Sequence, residues 1–321
     1  MNDIFISGFT HMGEALLRIF FIIVFAGYLV RKKIITKEQI DALSKITVIV
    51  LLPALVIGNT LKHFNPGELN YWWLMPILGV FFSMAGLAIA FLLFFPDYKH
   101  KKDLLAVASM QNAGYLVLPI GQVIYPEKFH LFAILTFLFI LGYNPVLWTL
   151  GKILVTQQEN KDNKLSIKDI ITPPAAANLV SLLLVLLGWQ HLFPDVLVES
   201  VDFLGKAAVP IATFVLGATL GSISFSQMPD WWDTLRVLLI KYGLIPLLTM
   251  SILWYFEVAK THPLLADFMI IQAAAAPATG LILQVRAYGG NLQRVASTMF
   301  VAYIFCLLML PFWMGLWHSI V

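Results

Sequence analysis

Apolar stretches of about twenty residues recur along the whole chain, and this recurrence limits what it can fold into more than any motif does. They fall at 10–30, 40–61, 70–95, 103–124, 129–151, 169–188, 196–222, 233–256, 264–286 and 293–318. In a bilayer only a helix satisfies its own backbone over a single crossing. The expected fold is an all-α polytopic membrane protein of ten transmembrane helices embedded in a lipid bilayer. With 60% hydrophobic and 12% charged residues, no soluble core accounts for this chain. Met1 to Thr10 has no basic n-region and no small-residue cleavage site, so the first stretch is read as a retained helix.

The connections set the orientation. Arg31, Lys32, Lys33, Lys37 and Lys45 flank the first turn, Lys99, Lys101 and Lys102 follow the third span, and Lys152, Lys161, Lys164 and Lys168 follow the fifth. Arg236, Arg286 and Arg294 continue the set, while the opposite loops hold Lys62, Lys128, Lys206 and Lys260. Positive-inside bias predicts that the first set is cytoplasmic and that both termini are extracytoplasmic, in an inner (plasma) membrane.

The polar run Gln157–Lys164 divides five spans from five. Five is odd, so the second half enters from the opposite side, the topology of an inverted repeat. The expected organisation is a first five-helix repeat over 1–155, a cytoplasmic linker over 156–168 and a second, inverted repeat over 169–321. Prolines recur at matching places: Pro53 and Pro210 in spans two and seven, Pro119 and Pro277 in spans four and nine.

The last two prolines lie in Gln111-Asn112-Ala113-Gly114-Tyr115-Leu116-Val117-Leu118-Pro119-Ile120 and Gln272-Ala273-Ala274-Ala275-Ala276-Pro277-Ala278-Thr279-Gly280. Proline lacks an amide proton and crowds the carbonyl four residues back, so each stretch is expected to interrupt its helix. The plain alternative is a buried kink. Paired interruptions in the two halves of a membrane protein instead mark a ligand site, because freed backbone groups survive only beside protein or a polar cavity. A half-helix that starts there turns unpaired amides and a partial positive charge toward the cavity, which suits a carboxylate.

The candidate site follows from the polar residues nearby. Asn112 either caps a half-helix or bonds a ligand, with Gly114 releasing the backbone from helical geometry. Thr279 either caps the second half-helix or contacts the ligand. Asn144, in Tyr143-Asn144-Pro145, and Tyr303 are expected to line the same cavity or to pack with satisfied polar groups. Gln111 and Gln272 are the candidates for a coupled sodium ion or proton. Arg286 either draws an anion to the cavity mouth or obeys the positive-inside rule, and Arg18 and Lys241 are either functional or snorkel to an interface.

Other classes are disfavoured. The one cysteine, Cys306, allows no intramolecular disulfide, and the seven histidines lack metal-ligand spacing. No nucleophile with a base, no carboxylate pair and no phosphate loop stands in a credible context, so neither an enzyme nor a resident cofactor is expected, nor a nucleic-acid partner. The carboxylates at span edges, Asp97, Asp103, Asp202, Asp233 and Asp267 among them, are expected to be solvated. Trp72, Trp73, Trp231, Trp232, Trp313 and Trp317 are expected at the interfaces as aromatic belts.

Taken in order, Leu52-Pro53-Ala54-Leu55, Asn112 through Pro119, Val209-Pro210 with Leu216-Gly217-Ala218-Thr219-Leu220, and Pro277 with Tyr288-Gly289 resemble the auxin efflux carrier family. The chain is similar to plant PIN-type carriers and to bacterial malonate and malate permeases. The resemblance implies a fold like that of bile-acid sodium symporters, with broken helices 4 and 9 crossing. A scaffold domain of spans 1, 2, 6 and 7 would face an elevator-like transport domain of spans 3–5 and 8–10, with a homodimer through the scaffold. It also implies that Asn112 helps to hold substrate carboxylates. The family often has Gly-Asn where this chain has Gln111-Asn112, and no second asparagine flanks Pro277, so a small carboxylate is expected rather than a plant hormone. The expected function is secondary active or potential-driven transport of a small organic anion by alternating access around Asn112, Gly114, Pro119, Pro277 and Thr279. The competing readings are a sodium-coupled symporter of bile-acid-like anions and a carboxylate receptor that does not transport.

Overall fold

The computed structural model describes residues 2–156, 172–222 and 229–321, so most of the expected linker over 156–168 lies outside the described residues. Among the described residues, seven helices are long and apolar enough to cross a membrane. They are α1 (Asn2–Arg31), α2 (Lys37–His63), α3 (Leu74–Phe94), α6 (Phe129–Val155), α8 (Asp195–Gly221), α9 (Trp231–Tyr255) and α12 (Leu292–Ile320). Between them lie a shorter apolar helix, α7 (Pro173–Leu186), and two interrupted stretches. These are α4 (Lys102–Ser109) with α5 (Val117–Ile124), and α10 (Pro263–Ala274) with α11 (Gly280–Tyr288). No strand forms among the described residues.

Local sequence fixes most of the boundaries. Thr36 and Gln39 close a capping box on α2: Thr36 N–H donates to Gln39 Oε1 at 2.9 Å and Gln39 N–H to Thr36 Oγ1 at 3.4 Å. Asp230 caps α9 through Asp233 N–H at 3.1 Å, and Asn291 caps α12 through Arg294 N–H at 3.0 Å. Helix α1 starts well before the expected residue 10. Phe5 stacks on Phe9 and meets Phe312 edge-on with centroids 6.0 Å apart, so α12 holds the first turns of α1 in place.

Three π turns, Thr47–Leu51, Leu147–Gly151 and Ile240–Leu244, each lie next to a proline: Pro53, Pro145 and Pro246. A proline cannot bond the carbonyl four residues back, and widening the helix lets the neighbouring bonds re-form. In α9 the carbonyl orphaned by Pro246 is that of Tyr242, and the Trp313 indole donates to it at 2.7 Å. This overturns the belt reading of Trp313 and Trp317: both are buried, and Trp317 Nε1 donates to Asp267 at 3.0 Å. Trp73, Trp231 and Trp232 are exposed.

Helix contacts are close where side chains are missing. A Cβ on Gly142 of α6 would stand 1.8 Å from the Pro76 carbonyl oxygen of α3, and one on Gly217 of α8 would stand 2.3 Å from that of Ile23 in α1. Glycine is required at both contacts. Three of the edge carboxylates are also buried rather than solvated, because each has a cation against it. Asp103 accepts two bonds from Arg294 at 2.7 and 2.8 Å, Lys101 reaches Asp233 at 2.6 Å, and Lys62 reaches Asp202 at 3.0 Å.

Candidate functional site

The two interruptions meet. Gln111 and Pro277 form an isolated antiparallel β-bridge, with Asn112 N–H donating to Ala276 O at 2.7 Å and Ala278 N–H to Met110 O at 3.0 Å. In this kind of pair the bonds come from the flanking residues, so Pro277 sits where no amide is needed. The helix break therefore loses little backbone bonding. Pro119 is likewise harmless in the first turn of α5, where amides have no partner within the helix, and the chain leaves α4 upstream of it, at Met110.

Side chains lock this crossover. Asn112 Nδ2 donates to Tyr303 OH at 2.8 Å, and Tyr303 OH donates to Pro277 O at 3.0 Å, so one hydroxyl joins both interruptions. Asn112 Oδ1 accepts at 3.3 Å from the N–H of Leu116, the residue just before α5. Tyr143 OH donates to Gln111 O, and Gln272 Nε2 to Ala113 O at 3.2 Å. Thr279 stands at the cap position of α11 and makes no side-chain cap bond.

A cavity of about 410 Å³ ends on this crossover. One wall comes from α2, α7 and α8, the other from α6 and the first turns of α5 and α11. Of the residues singled out from sequence, Gln111, Asn112, Gly114, Pro119, Asn144 and Thr279 line it. Pro277 lies in the bridge, and Tyr303 and Gln272 are buried behind it. Arg286 is exposed near the far end of α11 and does not line the cavity. Asn178 and Thr219, polar residues within apolar stretches that nothing in the sequence singles out, line the facing wall with Thr172 and Ser44, and Asn178 Nδ2 donates to Phe137 O at 2.6 Å. Thr172, before two prolines, is legible as a helix cap, and nothing in the sequence turns it toward a site.

Chemically the cavity is neutral and mixed. None of its described lining residues is Asp, Glu, Lys, Arg or His, while Phe137, Ile140, Leu141, Trp148 and Leu216 give it apolar walls. Gln111 is 1% exposed, and among the described residues neither its Oε1 nor its Nε2 has a partner. A buried amide with no bonds costs about 1–3 kcal/mol or more, which a purely structural glutamine would avoid. The side-chain oxygen of Gln272 is similarly unpartnered. No cluster of metal-ligating side chains occurs among the described residues.

Apolar helices of spanning length, with a polar-ended cavity at a crossover of interrupted helices, define an integral membrane protein of the transporter class. The chain belongs to the membrane transport protein family, the auxin efflux carrier family of the sequence resemblance, whose model matches residues 11–314. It is also similar to an uncharacterized transporter of Methanocaldococcus jannaschii, at 20% identity over 299 residues, covering 91% of this chain and 94% of that protein.

Proposed function

We propose that this transporter carries small organic carboxylates by alternating access, with the carboxylate at the α5 and α11 first turns and its apolar body against Phe137, Ile140 and Trp148. The observation that carries this reading is the neutral cavity onto which two helix starts converge. Amide groups and helix dipoles favour an anion without a cationic side chain. Gln111 supplies a free donor at the same place. A monoanion fits better than a dianion, whose second charge would find no cation there; malonate and malate are therefore weaker expectations than an aromatic or aliphatic monocarboxylate. The apolar walls favour, as the second reading, the sodium-coupled carriage of larger amphipathic anions.

In the proposed cycle the chain comprises two inverted five-helix repeats, 1–155 and 169–321, joined through 156–168. Helices α1, α2, α7 and α8 form the scaffold, the site of a homodimer contact, and the remaining helices move as an elevator. Ion pairs that stay within each group support this division: Lys62 with Asp202 between α2 and α8, and Arg294 with Asp103 between α12 and α4. The cavity runs from the crossover along Ser44, Trp148 and Thr172, toward the ends of α2, α6 and α7 near the Lys/Arg-rich loops. With those loops cytoplasmic and both termini outside, this is an inward-facing state. In the second, sodium-coupled reading, Gln111 and Gln272 are the proposed contacts for the ion. Uptake of labelled indole-3-acetate, malonate and malate into proteoliposomes tests the reading, and saturable binding without flux would make the protein a receptor.

A further inference from the structure

Lys241 has no part in the site just described, yet it is 1% exposed, in the π turn at the middle of α9. It does not snorkel. Its turn packs against α3, α4, α10 and α12. It is held rigidly there, because Tyr242 OH donates to Ala302 O at 2.6 Å and Trp313 Nε1 to Tyr242 O.

The charged and titratable groups on these elements are few. Helix α3 carries none, α4 carries Lys102 and Asp103, α10 carries Asp267, and α12 carries Arg294, Tyr303, Cys306 and His318. On α9 itself are Asp233, Arg236, Tyr242 and Tyr255. Every carboxylate here is engaged elsewhere: Asp103 by Arg294, Asp233 by Lys101, and Asp267 by Tyr125, Trp317 and His318. Of these groups, the one that acts on Lys241 electrostatically is the Cys306 thiol. That thiol contacts Ala274 O at 3.6 Å, at the last residue of α10, and Tyr303 lies one turn before it. Lys241 thus stands on a turn packed against α10 and α12, the helices that carry Gln272 and Tyr303 behind the crossover.

An ionisable side chain buried in a membrane transporter marks an ion or proton path by default, and among the described residues no carboxylate pairs with Lys241 to make it structural. We propose that Lys241 is the proton-binding residue that couples proton movement to anion transport, protonated while the cavity holds the carboxylate and neutral on the empty return. The inference rests on the anion-carrier reading above. A positive charge behind the crossover and an anion in front of it attract one another, so each raises the affinity for the other by the same factor. Proton and anion then travel together.

The test uses indole-3-acetate and malonate in proteoliposomes with the potential clamped at zero. A gradient of one pH unit with the acid side outside raises the driving ratio for one coupled proton about tenfold, and wild-type uptake should follow it. Lys241→Met should lose that response, while Lys241→Arg, which cannot deprotonate, should stall net uptake and still exchange labelled for unlabelled anion. If both variants fail to fold, calorimetric titration of the wild type in buffers of different ionisation enthalpy decides: one proton bound per anion supports the proposal and none overturns it. Wild-type uptake indifferent to the pH gradient, or an intact response in Lys241→Met, also overturns it and leaves the carrier reading standing. No flux of either anion under any gradient removes the carrier reading itself.

Discussion

Tyr303→Phe isolates the one hydroxyl that joins both interruptions. The substitution removes the donor to Pro277 O at 3.0 Å and the acceptor for Asn112 Nδ2 at 2.8 Å, with every group involved buried. Each bond is worth about 0.5–1.5 kcal/mol net, and orphaning the buried carbonyl adds to this, for a loss of about 2–4 kcal/mol. At about 2 °C per kcal/mol the melting temperature of purified protein should fall by about 4–8 °C, read by intrinsic fluorescence with chromatographic control of the oligomeric state. Asn112→Ala loses the same shared bond together with the one from Leu116 N–H at 3.3 Å. In a double-mutant cycle the two losses should therefore fall short of additivity by about 1 kcal/mol. A Tyr303→Phe protein that melts within about 1 °C of wild type, with additive effects in the cycle, would refute the argument that this hydroxyl ties the crossover.

Gln111→Leu removes an amide with no partners, so it should leave stability unchanged or raise it by about 1–2 kcal/mol while strongly reducing transport; loss of both together would make Gln111 structural. Gly217→Ala places a methyl 2.3 Å from Ile23 O and should cost about 1–3 kcal/mol by prising α8 from α1, measured by thermal unfolding. Asp97 is held below the usual carboxylate range, chiefly by its hydrogen bond from Lys101 and also by Arg236. Its contribution to stability is thus full above about pH 4 and is lost as pH falls through the depressed value, and Asp97→Asn should flatten that part of the acid profile.

Much of this structure is legible from residues alone, because a bilayer leaves a spanning segment few alternatives. Run length gives the seven helices of spanning length among the described residues, and Thr36 with Gln39, Asp230 and Asn291 announce helix starts by short-range chemistry. The two interruptions are visible as Pro119 and Pro277, although the prolines turn out to occupy positions that tolerate them and the bridge between Gln111 and Pro277 joins residues far apart in sequence. What sequence hides is direction. Trp313 and Trp317 look like interface residues until their indoles are seen donating inward, and Asp103 looks solvated until Arg294 closes on it. Thr279 has the position of a cap and makes no cap bond. Lys241 is equally ambiguous in sequence, since snorkelling depends on depth and on which face of α9 it occupies.

The account stands or falls on whether an organic anion crosses the membrane through the crossover cavity. Flux of labelled indole-3-acetate into proteoliposomes, compared between wild type and Asn112→Ala at equal amounts of folded protein, measures this directly. Saturable wild-type flux that falls at least about tenfold in the variant, a loss of about 1.4 kcal/mol in the limiting step, is the predicted result. Equal flux in the two proteins would take the anion away from the crossover, and binding without flux in the wild type would contradict transport altogether.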